Sequence, residues 1–221
     1  MMRGKLIVIE GVDGAGKTTQ LEILLKKLNQ SGHKAERIKF PRYETFFGKQ
    51  IRAYLDGEFG SLEQMHSVPT SILYALDRMD AAKMLKKMMK DGTYVLCDRY
   101  FISNLAYQGA KIKDLIKRKE FITWLIELEH KHLGIVKEDF IIFLDLPVNI
   151  SSEAVLKRGE KTDIHEKDIS FMRTTREAFL DLCKNSKKCA IVNCMKSQTE
   201  RKSIEEVAED VWKIFKEKIL K

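Results

Sequence analysis

Short apolar runs along the chain alternate with longer segments in which apolar residues recur every three to four positions. The short runs predict buried β-strands, and the longer spacing predicts amphipathic helices. Strands are predicted at residues 5–10, 35–40, 94–98, 139–145 and 189–193. Helices are predicted at residues 17–31, 45–56, 62–90, 101–110, 114–132, 149–158, 167–184 and 200–219. Strands alternating with helices indicate an α/β fold of three layers, in which helices cover both faces of a five-stranded parallel sheet.

The composition suits one domain spanning residues 1–221. The chain has 44% hydrophobic residues, three prolines and no Ser/Gly-rich linker. No apolar run approaches the roughly 18 residues of a membrane span, and the first predicted strand leaves no room for a signal peptide. None of the four cysteines forms a C-x-x-C pair, so we expect no zinc or redox site, and Cys97 is expected to be buried in its strand. The sequence therefore predicts a cytoplasmic protein without membrane contact.

The chain is basic, with a formal net charge of +8. This charge permits nucleic-acid binding, but the lysines are spread along helices and no recognition motif accompanies them. We interpret them as solvated helix faces that also attract polyphosphate substrates. A nucleic acid is therefore not the expected partner.

Residues 11–18 follow the pattern G-x-x-x-x-G-K-[ST] of a phosphate-binding loop. A predicted strand precedes the loop and a predicted helix follows it, which argues against a chance glycine-rich turn. The glycines let backbone N–H groups converge on phosphate, while Lys17 and the helix N-terminus add positive charge. Thr18 supplies a hydroxyl for Mg²⁺. The motif predicts a nucleoside triphosphate site and leaves the phosphate acceptor open.

Charged residues follow several of the other strands. Ligands bind beyond the carboxyl ends of parallel strands, where Arg42 and Arg99 are expected to meet. Since the loop already serves the donor phosphates, two further arginines favour a second phosphorylated molecule. Surface ion pairs are the alternative. Asp98 ends an apolar strand, where a carboxylate can reach magnesium or instead cap the next helix.

Polar side chains mark two helices beside this edge. Ser103, Asn104, Tyr107 and Gln108 lie on the helix that follows Asp98, and neutral amides suit a base edge that has donors and acceptors. On the helix 62–90, Tyr74 and Arg78 share a face. Tyr74 could stack a base, although core packing is the simpler explanation for it.

Residues 157–168 form a charged stretch broken by a glycine between two helices. Such a stretch is a candidate lid that closes over phosphates, with a plain solvated loop as the alternative. His165 by itself indicates nothing specific.

Taken in order, these motifs resemble thymidylate kinases over about residues 4–215. The phosphate loop is common to many kinases, so the specific part of the resemblance lies in the other motifs. The matching elements are Gly11 to Thr19, Phe40-Pro41-Arg42-Tyr43, Tyr74 to Arg78, Asp98-Arg99-Tyr100 with Ser103-Asn104 and Tyr107-Gln108-Gly109, Arg158-Gly159, and Asp163 to Glu166.

The resemblance implies a P-loop nucleoside-monophosphate kinase that transfers the γ-phosphate of ATP to dTMP with Mg²⁺. It implies an ATP site of Gly11, Asp13, Gly14, Ala15, Gly16, Lys17, Thr18, Thr19 and Arg158, with Thr18 and Asp98 at the metal. It implies a dTMP site of Asp13, Phe40, Arg42, Tyr43, Tyr74, Arg78, Arg99, Ser103, Asn104, Tyr107 and Gln108. The expected catalytic residues are Lys17, Arg99, Asp98, Asp13 and Lys161.

Within that site the resemblance implies separate roles. Asp13 holds the sugar 3′-hydroxyl, and Tyr74 stacks on thymine, where relatives often have Phe. Gly14 stands where some members carry a basic residue. The catalytic cation is therefore expected from the lid, as Lys161 or, second, Arg158.

The family is homodimeric, and the helix 62–90 carries more apolar residues than one sheet-facing stripe needs. A partner helix from a second copy would cover them. Cover by the helices 45–56 or 114–132 of the same chain is the alternative.

Two other functions stay open at this point. The acceptor could be dGMP, dUMP or a deoxynucleoside. A switch-type P-loop protein that hydrolyses nucleotide or binds nucleic acid is less favoured, since it has no use for Arg42, Tyr74 and Asn104 in these places.

Overall fold

The central strand of the fold is β1 (Leu6–Glu10), whose five residues are all buried. In the computed structural model, which describes residues 3–157 and 162–220, β1 pairs in parallel with β3 (Tyr94–Asp98) on one side and β4 (Phe140–Asp145) on the other. β2 (Ala35–Lys39) and β5 (Cys189–Asn193) complete the sheet in the order β2-β3-β1-β4-β5. The five-stranded parallel sheet predicted from the sequence is confirmed.

Helices lie on both faces of the sheet. Those in the described residues are α1 (Lys17–Gln30), α2 (Phe46–Leu55), α3 (Ser67–Lys90), α4 (Phe101–Ala110), α5 (Leu115–Glu127), α6 (Val148–Lys157), α7 (Ile169–Lys184) and α8 (Ile204–Lys218). α1 and α8 pack together on one face. α3, α4 and α7 pack together on the other, and α2 packs against α3.

Two strands that were expected to be buried lie at the edges of the sheet. In β2, Glu36, Arg37 and Lys39 are exposed, and in β5 Ile191 is 36% exposed. Edge strands have a neighbour on one side only, so solvent reaches part of their surface. Strand order is a tertiary property that the apolar runs could not reveal.

Three helices differ from their predicted bounds by four residues or more. α3 starts at Ser67 rather than residue 62, because residues 61–65 form a turn in which the backbone N–H of Met65 donates to the carbonyl of Ser61. α8 starts at Ile204, where Ser203 and Glu206 form a capping box. The predicted helix 114–132 ends as a π-helical turn, Leu128–His132.

The cysteines include one pair that the spacing did not indicate. Cys183 at the end of α7 and Cys189 at the start of β5 form a disulfide, with their Cα atoms 5.1 Å apart. The buried position expected for Cys97 is confirmed, since it is 0% exposed. The sequence separation of six residues did not predict this disulfide, because spacing alone does not show that the chain turns back between α7 and β5.

Candidate functional site

The phosphate loop joins β1 to α1 at the centre of the carboxyl edge of the sheet. Gly14 and Gly16 both have a left-handed φ, at 82° and 96°, which residues with a side chain rarely adopt. The ammonium of Lys17 is buried, donates to the carbonyl of Val12 at 3.1 Å and lies 3.5 Å from Asp13. Thr19 is exposed on α1. The loop therefore has the backbone and charge that a nucleotide phosphate requires.

Gly14 has no room for a side chain. A Cβ atom at Gly14 would overlap the backbone carbonyl of Ser151 in α6. Together with its positive φ, this crowding keeps a side chain out of the loop unless α6 moves. A basic side chain at position 14 is therefore excluded, and within the loop Lys17 supplies the positive charge.

Asp98 and Thr18 form a pair beside this loop. The Thr18 hydroxyl donates to Asp98 Oδ2 at 2.7 Å, while Asp98 Oδ1 is buried and has no partner among the described residues. The alternative role of Asp98 as a helix cap does not occur, because its carboxylate pairs with Thr18 and α4 has no side-chain cap. Hydroxyl and carboxylate oxygens fit Mg²⁺, which prefers hard oxygen ligands.

Arg99 and Asp13 form the charged centre of the site. Arg99 follows β3 with a left-handed φ of 65°, and its guanidinium donates to Asp13 Oδ1 at 2.6 Å. Tyr107 donates its hydroxyl to Asp13 Oδ2 at 3.0 Å. Burial opposes the charge on Asp13, yet Arg99 and Lys17 hold the pKa of this carboxyl below its usual range. A backbone conformation this rare at a strand end is typical of functional sites.

Glu10 was not identified from the sequence. It is buried at the end of β1, where it accepts from the backbone N–H of Tyr100 at 2.9 Å and from the Ser103 hydroxyl at 2.6 Å. Burial raises the pKa of Glu10, although the charge of Arg99 opposes the shift. The only signal was a charged last residue in an apolar strand. Glu10 holds the first turn of α4 against the sheet.

A cavity of about 80 Å³ opens beside Arg99. The lining residues come from the phosphate loop, the 40–43 loop, α2, α3, the end of β3, α4 and the segment after residue 162. They are Asp13, Phe40, Pro41, Tyr43, Leu55, Tyr74, Arg78, Arg99, Tyr100, Ser103, Asn104, Tyr107, Gln108, Asp163 and His165.

One wall of this cavity carries amides whose hydrogen bonds are incomplete. Asn104 and Gln108 lie on α4 and are 2% and 0% exposed. Gln108 Oε1 and Nε2 and Asn104 Oδ1 have no partner in the described residues. Buried polar atoms are nearly always hydrogen-bonded, so a wall of this kind fits a ligand that carries both donors and acceptors.

Arg78 lines the cavity, but its charge is already matched. Its guanidinium forms a bidentate pair with the buried carboxylate of Glu129 in the π-helical turn. Asn104 donates to the same carboxylate at 2.9 Å. Sequence analysis missed Glu129, which lies 51 residues from Arg78 along the chain. The edge of the Arg78 guanidinium can contact a base, but its charge is neutralised by Glu129 and is not available to a phosphate.

Unlike Arg78, Arg42 does not line the cavity. Its guanidinium pairs with Asp77 at 2.9 Å and with Asp80 at 2.6 Å, and its backbone N–H also donates to Asp77. Among the described residues, Phe40, Pro41 and Tyr43 line the cavity, whereas Arg42 does not. Arg42 and Arg99 are thus both in ion pairs, Arg99 with Asp13, and their role at the phosphate of a second molecule stays a prediction. Both acidic partners are remote in sequence.

The lid expected at residues 157–168 is described in part. Arg158 and Lys161 lie outside the described residues. The segment from residue 162 packs against α2, where the backbone N–H of Ile164 donates to the carbonyl of Leu55 at 3.1 Å. Asp163 and His165 from this segment line the cavity. His165 is thus a cavity residue, which the sequence indicated only as part of the matching element Asp163 to Glu166.

Arg201 is another residue that the sequence did not mark. It lies in the hairpin before α8, bridged to Met195, and donates to the carbonyl of Ala15 at 3.0 Å. Its guanidinium also comes within 3.2 Å of the Cβ position of Gly16. A second cation besides Lys17 therefore contacts the phosphate loop.

Comparisons with known proteins agree on one family. The family model described as thymidylate kinase matches residues 9–211. A probable thymidylate kinase of Thermococcus gammatolerans is 33% identical, with 98% of each chain covered. A thymidylate kinase of Danio rerio is 32% identical over 95% of this chain and 88% of its own length. A solved thymidylate kinase of Candida albicans, described as having broad substrate specificity, is 25% identical with a TM-score of 0.76, covering 97% of this chain and 92% of its own.

No helix in the described part of the chain has the length and hydropathy that a membrane crossing requires.

Proposed function

Because the chain belongs to the thymidylate kinase family, we propose that it transfers the γ-phosphoryl group of ATP to dTMP, yielding dTDP for dTTP synthesis. One observation carries the proposal. A cavity beside the phosphate loop combines the cation of Arg99 with the unpartnered amides of Asn104 and Gln108. A hydrolase would need no such second site.

The donor ATP is assigned to the phosphate loop, with Lys17 and the N-terminus of α1 supplying positive charge. The assignment comprises Gly11, Asp13, Gly14, Ala15, Gly16, Lys17, Thr18, Thr19 and Arg158. Thr18 and Asp98 would hold Mg²⁺, which when bound neutralises charge on the phosphates. The unpartnered Oδ1 of Asp98 supports this assignment.

The acceptor dTMP is assigned to the cavity. Tyr74 would stack on the base, and Asn104 and Gln108 would recognise its edge, with the edge of Arg78 beside them. Asp13 would accept from the sugar hydroxyl, and Arg99 would exchange part of its contact with Asp13 for the phosphate. The full set is Asp13, Phe40, Arg42, Tyr43, Tyr74, Arg78, Arg99, Ser103, Asn104, Tyr107 and Gln108. Arg42 would have to leave Asp77 and Asp80 to reach a phosphate.

Transfer requires the two substrates in line, charge neutralisation and exclusion of water. The lid is proposed to deliver the last cation, Lys161 or Arg158. The crowding at Gly14 supports a lid source for this cation, because position 14 of the loop cannot carry a basic side chain. We propose that Asp13, Lys17, Asp98, Arg99 and Lys161 act in catalysis.

The assay that tests this proposal is coupled ADP release with dTMP, dUMP, dGMP, dAMP and thymidine as acceptors. We expect dTMP to be preferred over the purine monophosphates by a large factor, because a mismatched base leaves buried amides unpaired. Lys17→Ala should lower turnover by orders of magnitude with the fold intact. Equal rates with purines would leave only a general monophosphate kinase, and acceptor-independent ADP release would indicate a hydrolase.

A homodimer is proposed on the exposed face of α3. Val68 and Ile72 are 46% and 36% exposed and share this face with Leu76 and Met79. In the alternative, α2 of the same chain would cover the apolar residues of α3, but α2 packs against Leu73 and Tyr74 instead. Sedimentation should give twice 25.6 kDa, and Ile72→Glu should reduce this to a monomer. Leu115→Glu, at a 74% exposed residue of α5, is the control, and a wild-type species near 25.6 kDa would contradict the dimer.

We propose further that the whole chain acts as one kinase domain in the cytoplasm, with ATP and dTMP rather than a nucleic acid as its partners. The spread of lysines over helix faces supports this choice.

A further inference from the structure

His165 reaches the acceptor cavity from outside its helical walls. Its ring is 4% exposed and stacks on Tyr107, with centroids 5.2 Å apart and planes inclined by 26°. Its backbone N–H donates to Asp163 Oδ1 at 2.8 Å, and the neighbouring Ile164 is hydrogen-bonded to α2. Ring and backbone are therefore both held in place at the edge of the cavity.

A hydrogen-bonded chain determines which nitrogen of this ring carries its proton. Lys111 Nζ lies 2.8 Å from the hydroxyl of Tyr54, and that hydroxyl lies 2.7 Å from His165 Nε2. An ammonium group can only donate, so the Tyr54 oxygen accepts from Lys111. Tyr54 is 0% exposed, and its own proton is directed to Nε2. We assign the tautomer of His165 from this network.

The same surroundings keep the imidazole neutral. Burial and the charge of Lys111 lower the pKa of His165 to about 3. Burial also lowers the pKa of Lys111, to about 8, so at pH 7 the ammonium still donates. The ring then accepts at Nε2 and carries its hydrogen on Nδ1. Within the described residues Nδ1 has no partner, so it is the polar atom that this ring can offer to the cavity.

We infer that His165 is a binding residue of the acceptor site, whose Nδ1–H donates to an oxygen of the bound nucleoside monophosphate. Tyr54 and Lys111 are positioning residues, which act by holding the Nδ1–H tautomer. The inference rests on the proposed function, since it needs a nucleotide in this cavity. It also gives the segment after residue 162 a role in recognising the acceptor, separate from delivering a cation.

Isosteric variants separate the two nitrogens. Asn at position 165 can present an N–H where Nδ1 lies, Gln can accept where Nε2 lies, and Phe keeps only the ring. We expect His165→Asn to keep the KM for dTMP within about twofold, while His165→Gln and His165→Phe raise it about three- to tenfold, the range of one neutral hydrogen bond. The KM for ATP should stay constant. His132→Asn, at an exposed residue, is the control.

Tyr54→Phe tests the positioning role. Without the Tyr54 hydroxyl, nothing in the described part of the chain holds the hydrogen of His165 on Nδ1, so we expect a higher KM for dTMP at unchanged kcat. The control, Tyr94→Phe at the remote start of β3, should change neither quantity. Imidazole ¹⁵N shifts supply a readout that needs no variant at position 165. Wild type at pH 7 should show unprotonated Nε2 and a protonated Nδ1 that shifts when dTMP is added.

An Nε2–H tautomer, an Nδ1 signal insensitive to dTMP, or equal losses in His165→Asn and His165→Gln would each overturn the inference. An unchanged KM for dTMP in all three variants at position 165 would also overturn it, provided that thermal unfolding shows these variants to be folded. The proposed function fails separately, when wild type does not phosphorylate dTMP at all.

Discussion

Gln108 carries the sharpest prediction, because the structure implies opposite effects on stability and on binding. Both amide atoms are buried, and in the described residues neither has a hydrogen-bond partner. An unsatisfied buried polar group costs about 1–3 kcal/mol. Gln108→Met keeps the unbranched shape and removes that cost, so the free enzyme should gain about 1–3 kcal/mol. For a chain of this size the gain raises Tm by roughly 2–12 °C.

The same change should weaken the binding of dTMP. Two neutral hydrogen bonds to the base contribute about 1–3 kcal/mol together, so the Kd for dTMP should rise roughly 5- to 150-fold. Thermal unfolding with and without dTMP, at one protein concentration, measures both effects. Gln20→Met is the matched control, since Gln20 is also buried but its Nε2 bonds to Ile204 in α8, away from the cavity. A Gln108→Met variant that is less stable and binds dTMP normally would refute the reasoning.

Three further predictions follow from single contacts. Arg99→Ala should raise the KM for dTMP about 10- to 100-fold and leave that for ATP nearly unchanged, whereas steady-state kinetics with the reverse pattern would mean that donor and acceptor sites are exchanged. Arg201→Met should raise the KM for ATP about three- to tenfold, because the variant loses the hydrogen bond to Ala15. The control is Lys196→Met in the same hairpin, whose lysine pairs with Glu206 and whose loss should leave the KM for ATP unchanged. Equal effects of the two variants would exclude a specific role for Arg201. Burial raises the pKa of Glu138 to about 7 from 4.5, so the folded protein keeps a proton that the unfolded chain loses, and stability falls as pH rises from about 5 to 7. Between pH 5 and pH 8 in urea, wild type should lose about 1–3 kcal/mol relative to Glu138→Gln, and a constant difference would contradict the shift.

The sequence determined the features that depend on neighbouring residues. The phosphate loop is contiguous, and its glycine conformations, lysine and following helix all arise within residues 11–18 and the first turn of α1. The helices and strands follow from periodicity, and strand bounds differ from the predicted ones by a residue at most. The apolar strand before Asp98 also identified a carboxylate at the edge where parallel strands end, and the structure pairs that carboxylate with Thr18.

The tertiary structure decided which side chains pair across elements. Arg42 meets Asp77 over 35 positions, and Tyr54 meets His165 over 111. It also placed β2 and β5 at the sheet edges. Periodicity shows which face of a helix or strand is apolar, but not which other element covers that face. Hydrogen bonds and ion pairs form only at distances of a few ångströms, so partners remote along the chain are chosen by packing. Packing brought His165 to the cavity and Arg201 to the phosphate loop.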